Sequence, residues 1–271
     1  DFSANTNNVT IAATTLSGIG NATTGTVTVT NAVKVTGSQS DLTAALVTSG
    51  SKVEVSDAIV NITDSDFSAN TNNVTIAASD LKNIGNATTG TVTLDGAVKI
   101  TGNQADVTAA LVTAGSKVVA GKAGTIANVT TAVNASQGQA IAAATNINAA
   151  FAGGVEDSTS NLYDTNNTAI TTNFNAIKTE DSDVAVTISD ADFSANTNNV
   201  TIAATTLTGI SNATTGTVTV TNAVKVSGSQ SDVTAALVTS GSKVDVSDAL
   251  VKITDADFSA NTNNVTIAAS D

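Results

Sequence analysis

The sequence predicts a mainly β protein: a parallel β-solenoid of stacked coils with short helical turns, about three coils to each 65-residue repeat. Three observations predict it. The stretch DFSANTNNVTIAA opens at Asp1 and returns at Asp66, Asp192 and Asp257, so the chain repeats itself at spacings of 65, 126 and 65 residues. Short runs such as Val74-Thr-Ile76 and Thr26-Val-Thr-Val-Thr30 alternate aliphatic with polar residues, the signature of half-buried strands. Six Phe, one Tyr and no Trp leave the packing to Val, Ile, Leu, Ala and Thr, which suits thin stacked layers better than a thick globule.

Each repeat holds three smaller units. The first is SDFSANTNNVTIAA, where Phe67 anchors inward, NTNN turns the chain, and Val74 and Ile76 share one face of a strand. Its first copy uses Phe2, Val9 and Ile11 in the same way. The second unit, SDLKNIGNATTGTVTLDGAVKIT, places Leu81 and Ile84 on a single helical turn that Ser79 caps and Gly90 ends in a left-handed conformation. Val92, Leu94, Val98 and Ile100 then line two short strands. In the third unit, ADVTAALVTAGSKV, Val107 and Leu111 lie four apart on a helical face and Gly115 closes the turn. None of these units is large enough to be stable alone, so stacking must complete them. Each coil should add about 4.8 Å of length through backbone pairing.

A rival reading takes VTLDGAVKI as a hairpin turning at Asp95-Gly96 and yields tandem immunoglobulin-like β-sandwiches. The matching turns at Asn31 and Asn222 lack the glycine, and 65 residues is short for a sandwich of about 100.

The regular pattern covers residues 1–118 and 184–271, and a degenerate, partly helical repeat or insertion occupies 119–183. There Val133, Ile141, Ile147 and Phe151 fall at loosely helical spacings. Ile170, Phe174 and Ile177 form an amphipathic stripe that Asp164 or Asn167 is placed to cap.

Composition removes most chemistry. His and Cys are absent, which excludes the commonest general base, the thiolate nucleophile, zinc clusters and disulfides. All ten basic residues are Lys and the net charge is -13, a balance that repels nucleic acid. No apolar run reaches the length of a membrane span. No pair of carboxylates stands apart from the repeat as an acid and a base, and no catalytic residue or cofactor site is expected.

Calcium is the one ion the pattern suggests. Asp64, Asp66, Ser68 and Asn70 sit at alternate positions, as do Asp255, Asp257, Ser259 and Asn261, with Asp190 and Asp192 in the third copy. Alternating Asp and Asn is how an EF-hand loop begins, but the glycine and the bidentate glutamate that complete it are missing. The competing explanation is a strand end whose Asp caps a turn. Threonine rows at Thr26, Thr28, Thr30 and at Thr217, Thr219, Thr221 raise ice binding, but Glu54 and Ser56, or Asp245 and Ser247, should lie beside them and break the lattice. Eleven Asn-x-Ser/Thr triplets, including those at Asn8 and Asn21, leave glycosylation open.

IGNATTGTVTV and TAALVTSGSKVEVSDAIVNITD, with their copies, resemble the tandem repeats of giant cell-surface proteins of marine cyanobacteria, of the swimming-motility and surface-layer type. The resemblance covers the regular parts and not residues 119–183. It implies an extracellular, cell-surface location and a structural, adhesive or motility-related role in a filament, surface layer or adhesin. Self-association with further repeats or neighbouring subunits would follow, and surface glycan is a further possible partner. The alternative is a binding module that uses an outer face for calcium, glycan or ice.

Overall fold

The computed structural model describes residues 9–31, 33–64, 74–120, 124–144, 147–190, 200–246 and 248–255. The chain forms two compact units, Asp1–Thr131 with Ala140–Ala150, and Ala132–Gln139 with Phe151–Asp271. Along the first run β1 (Thr10–Ala12), α1 (Ala13–Asn21), β2 (Val27–Thr28), β3 (Lys34–Gly37), α2 (Gln39–Leu42) with a π-helical turn at Thr43–Val47, β4 (Val53–Glu54), β5 (Ile59–Ile62), β6 (Thr75–Ala77), α3 (Ala78–Asn86), β7 (Val92–Leu94), β8 (Lys99–Gly102), α4 (Gln104–Leu111), β9 (Val118–Val119) and β10 (Ile126–Val129). Helix α5 (Ala135–Ala142) draws residues from both units, and β11 (Asn148–Ala150) completes the first. The second contains β12 (Val155–Asp157), α6 (Thr159–Leu162), β13 (Tyr163–Asp164), β14 (Ala169–Ile170), α7 (Thr172–Glu180), β15 (Val186–Ile188), β16 (Thr201–Ala203), α8 (Ala204–Ala213), β17 (Val218–Val220), β18 (Val224–Gly228), α9 (Gln230–Leu237), β19 (Val244–Val246) and β20 (Ala249–Ile253).

The fold is mixed α/β, 33% helix and 29% strand among the described residues, with parallel sheets flanked by helices; neither the mainly β solenoid nor the sandwich describes it. Helix was underestimated for a physical reason. The segments read as short helical turns, ASDLKNIGN and QADVTAAL, extend to nine and eight residues, the second favoured by three Ala and a Leu and the first held by burial of Ala78, Leu81, Ile84 and Gly85 and not by propensity. Ser79 lies inside α3 and caps nothing, because the helix starts directly from the strand at Ala77 without a side-chain cap. The sandwich fails on topology. The two strands of VTLDGAVKI belong to different sheets, β7 between β5 and β9, and β8 between β6 and β10, each pairing parallel. Parallel strands need a crossover, and here a helix or a long loop supplies it.

In the first unit the larger sheet runs β1-β3-β5-β7-β9, a second runs β11-β10-β8-β6, and β2 pairs with β4. The second unit holds β12-β15-β17-β19, β16-β18-β20, and the ribbon β13-β14, which is antiparallel. Register keeps like with like: Val35 faces Val60, Ile76 faces Ile100, and Val218 faces Val186. Aliphatic side chains therefore stack in continuous rows. Val35, Val60, Val92, Ile100, Leu81 and Ile84 in the first unit are fully buried, as are Phe174, Ile177, Leu207 and Val226 in the second. Such a side chain contributes about 1.5–3 kcal/mol relative to exposure, before ordering costs.

The expected inward residues divide. Val92, Leu94, Val98, Ile100 and Val107 are buried, whereas Val9 is 59% exposed. Phe2 and Phe67 lie outside the described residues. Gly115 adopts φ +97° and closes its turn as expected. Gly90 does not take a left-handed conformation; a Cβ there would overlap the Ala58 carbonyl, so its role is close approach. In the irregular stretch, Val133 bridges to Val155, and Ile141, Ile147 and Phe151 are buried. Thr171 rather than Asp164 or Asn167 caps α7, its hydroxyl accepting from the Phe174 N–H.

Candidate functional site

The acidic residues at the strand ends meet helix N-termini. After β5 the chain reaches Asp64, whose Oδ2 accepts the Gln39 N–H at 2.7 Å, at the first residue of α2. Asp255 repeats the bond to Gln230 N–H of α9, also at 2.7 Å. Asp190 takes Thr159 N–H at 2.7 Å and Thr159 Oγ1–H at 3.0 Å, and Asp157 takes Ala135 N–H at 2.9 Å. At α4 the acceptor is Thr131 Oγ1, 2.9 Å from Gln104 N. A helix N-terminus carries unpaired N–H groups and partial positive charge, so a carboxylate is stabilised there.

The local cap fills the next position. Ser38, Asn103 and Ser229 each accept the backbone N–H three residues on, from Asp41, Asp106 and Asp232. At α5, Asn134 and Gln137 bond reciprocally in a capping box, 2.8 and 3.0 Å. Helices α2, α4, α5 and α9 are thus each capped once by their own chain segment and once by a residue lying 22–27 positions further along, whereas at α6 Ser158 makes no cap bond and Asp190, 31 positions on, supplies the acceptor.

This geometry places three of the residues read as calcium ligands. Asp64, Asp190 and Asp255 each give one carboxylate oxygen to a helix N-terminus. Asp66, Ser68, Asn70, Asp192, Asp257, Ser259 and Asn261 lie outside the described residues. Among the described residues no three acidic side chains gather around a point that could hold a metal ion.

A second recurrent device was not recognised from the sequence. In each ATTG turn the threonine hydroxyl accepts the glycine N–H two residues on: Thr23 with Gly25, Thr88 with Gly90, Thr214 with Gly216, at 3.1, 3.0 and 2.9 Å. In two copies the hydroxyl proton then goes to the preceding layer, from Thr88 to Ala58 O at 2.5 Å and from Thr214 to Val184 O at 2.7 Å. The glycine permits this approach, because a Cβ on Gly90 or Gly216 would overlap that layer's carbonyls. The available signal was the identity of NATTGT in three copies.

Lys82 and Asp106 form an ion pair at 2.5 Å, and the hydrogen bond from Lys82 holds the Asp106 carboxyl below its ordinary value. Asp181 accepts the Phe151 N–H at 2.6 Å, yet burial and neighbouring Asp183 push its pKa up. The threonine rows meet charge at the expected places: Thr28 pairs with Glu54 and Thr219 with Asp245.

The second unit has an open cleft of about 500 Å³, lined by Thr159, Tyr163, Asp164, Asn166, Thr171 and Thr206 among others. Gly209 lets α8 close on the Tyr163 ring. The Asn166 N–H leads the groups that hold Asp164 below its ordinary pKa, with Asn167 adding a side-chain bond. An anion held in this way accepts hydrogen bonds and is a poor proton donor at neutral pH. Among the described residues no helix is long and apolar enough to cross a membrane. Comparison with known proteins finds no matching family model, no matching curated protein and no matching solved structure.

Proposed function

We propose that the chain is a structural repeat segment of a large extracellular surface protein, a filament, surface layer or adhesin of the kind its repeats resemble. The observation that carries this reading is the capping between layers. Asp64, Asp157, Asp190 and Asp255 each spend a carboxylate oxygen on the helix of an earlier layer, so the most polar recurrent positions join layers. The ATTG turns do the same with hydroxyls. In such a protein the repeated sequence performs one task, propagation of layers with fixed register, and chemistry is no part of it.

Two measurements test the reading. Stability of a stacked array is a sum of layer and interface contributions, so the melting temperature should rise as 65-residue repeats are added in tandem. Antibody labelling of intact cells should place the segment outside. Melting that is independent of copy number would overturn the structural part, and labelling only after lysis would overturn the location.

A further inference from the structure

We infer that Asn166 is an N-glycosylation site, its side-chain amide taking a sugar from a lipid diphosphate carrier. The inference deepens the extracellular reading and rests on it, because such carriers meet chains that are being exported, but it concerns one side chain.

Eleven Asn-x-Ser/Thr triplets occur, and the fold sorts them. Those at Asn8, Asn73, Asn199 and Asn264 lie outside the described residues. Of the others, all but one are spent on structure. Asn61 is 5% exposed, Asn128 donates its amide to Thr101 Oγ1 at 3.1 Å, and Asn134 caps α5. Asn21, Asn86 and Asn212 stand at the C-terminal ends of α1, α3 and α8. The hydroxyls that complete those three triplets belong to Thr23, Thr88 and Thr214, which the ATTG turns already use.

Asn166 differs on each count. Asn166-Asn167-Thr168 forms the turn between β13 and β14, and the run 165–169 is exposed. Among the described residues neither the Asn166 side-chain amide nor the Thr168 hydroxyl has a hydrogen-bond partner. Asp164 anchors the turn through the Asn166 N–H at 2.9 Å and the Asn167 side-chain amide at 2.6 Å, which leaves the Asn166 amide presented to solvent. Asp164 also stands two residues before Asn166, and none of the other ten triplets has an acidic residue in that place. A carboxylate there gives a transferase an anion to grip with a cationic side chain.

Thr168 is an independent observation. Its φ is +49°, a left-handed conformation that β-branched residues rarely adopt. Gly or Asn would suit such a turn better. The turn thus carries strain for the sake of a hydroxyl that serves nothing else in the described chain. A glycosylation triplet accounts for it, since only Ser or Thr completes one.

In the transfer, the bond between the sugar's anomeric carbon and the diphosphate oxygen breaks, and the lipid diphosphate leaves with the electron pair. Asn166 Nδ2 bonds to the anomeric carbon, and one amide proton passes to a base on the transferase.

The test is peptide mass spectrometry of the protein taken from the cells that make it. Chymotryptic cleavage after Tyr163 and Phe174 leaves residues 164–174, which hold this triplet and no other. That peptide should carry a glycan that fragmentation places on Asn166. Thr168→Ser should keep the glycan, and Asn166→Gln and Thr168→Asn should each abolish it. Made in cells that lack the glycosyl donor, Thr168→Asn should melt at or above wild type, because Asn tolerates the left-handed conformation. An unmodified wild-type peptide, glycan spread equally over Asn61 or Asn86, or a Thr168→Asn chain that melts below wild type would each overturn the site. Antibody labelling of intact cells with an unmodified Asn166 would sink the site alone, whereas labelling only after lysis would sink the location whatever the peptide mass, so the two readings fail separately.

Discussion

Single residues show how position decides the role of a carboxylate. Asp64 and Asp255 follow strands of the same sequence pattern and make the same 2.7 Å bond to a helix N–H. Asp181 also accepts a backbone N–H, from Phe151, but it sits in a part-buried site near Asp183, where loss of solvent outweighs that bond and its pKa is raised. A raised folded-state pKa means that the protonated form favours folding. The contribution is complete below the unfolded value and is lost as pH rises through the folded one. Asp181→Asn, which keeps an oxygen for the Phe151 N–H, should melt with wild type in acid and above it at neutral pH. Thermal melts of both proteins across the acid range check this, and a constant gap at all pH values contradicts it. The alternation of Asp and Asn was legible in the sequence; the partner of each carboxylate was not, because it lies 22 or more residues away.

At the scale of elements, the repeat and its strands were legible because alternation of Val and Ile with Thr marks a half-buried strand wherever it falls. Val92, Leu94, Val98 and Ile100 are buried as that pattern requires. Helix length was not legible. The helices begin without a cap where a strand hands over directly, at Ala12, Ala77 and Ala203, so no capping residue announces their start. Gly90 was misread for a related reason. A glycine after a helix suggests a left-handed end, and only the neighbouring layer reveals that what it must avoid is the Ala58 carbonyl. The ATTG turn gives this account a measurable form. Thr88→Val removes the buried donor to Ala58 O and the acceptor for Gly90 N–H, and should cost about 1–3 kcal/mol. Thr214→Val should cost a similar amount in the second unit, where Val184 O is the acceptor. Thr23→Val, at a turn whose glycine faces open space, should cost well under half as much. Chemical denaturation of the three variants checks the order, and equal losses would mean that the hydroxyl serves its own turn and not the next layer.

For the molecule as a whole, the dominant electrostatic fact is a net charge of -13 on 271 residues with ten Lys and no Arg. Self-repulsion of that size destabilises the compact state, and mobile ions screen it over about 8 Å at physiological ionic strength. Added sodium chloride should therefore raise the melting temperature, by roughly 2–4 °C for each 1 kcal/mol of repulsion removed. Calcium supplies a sharper comparison. Any divalent cation screens an acidic chain, so a shift with calcium means little unless sodium is matched to the same ionic strength. Ligation differs from screening in being saturable, reversed by chelator and confined to particular carboxylates. Asp64, Asp190 and Asp255 already hold helix N–H groups, and a cation on those oxygens would compete with the caps. The expected outcome is that calcium at matched ionic strength shifts melting no more than sodium does, and that chelator changes nothing further. A saturable shift specific to calcium, lost in Asp64→Asn and Asp255→Asn together, would show that these strand ends bind an ion in addition to capping helices.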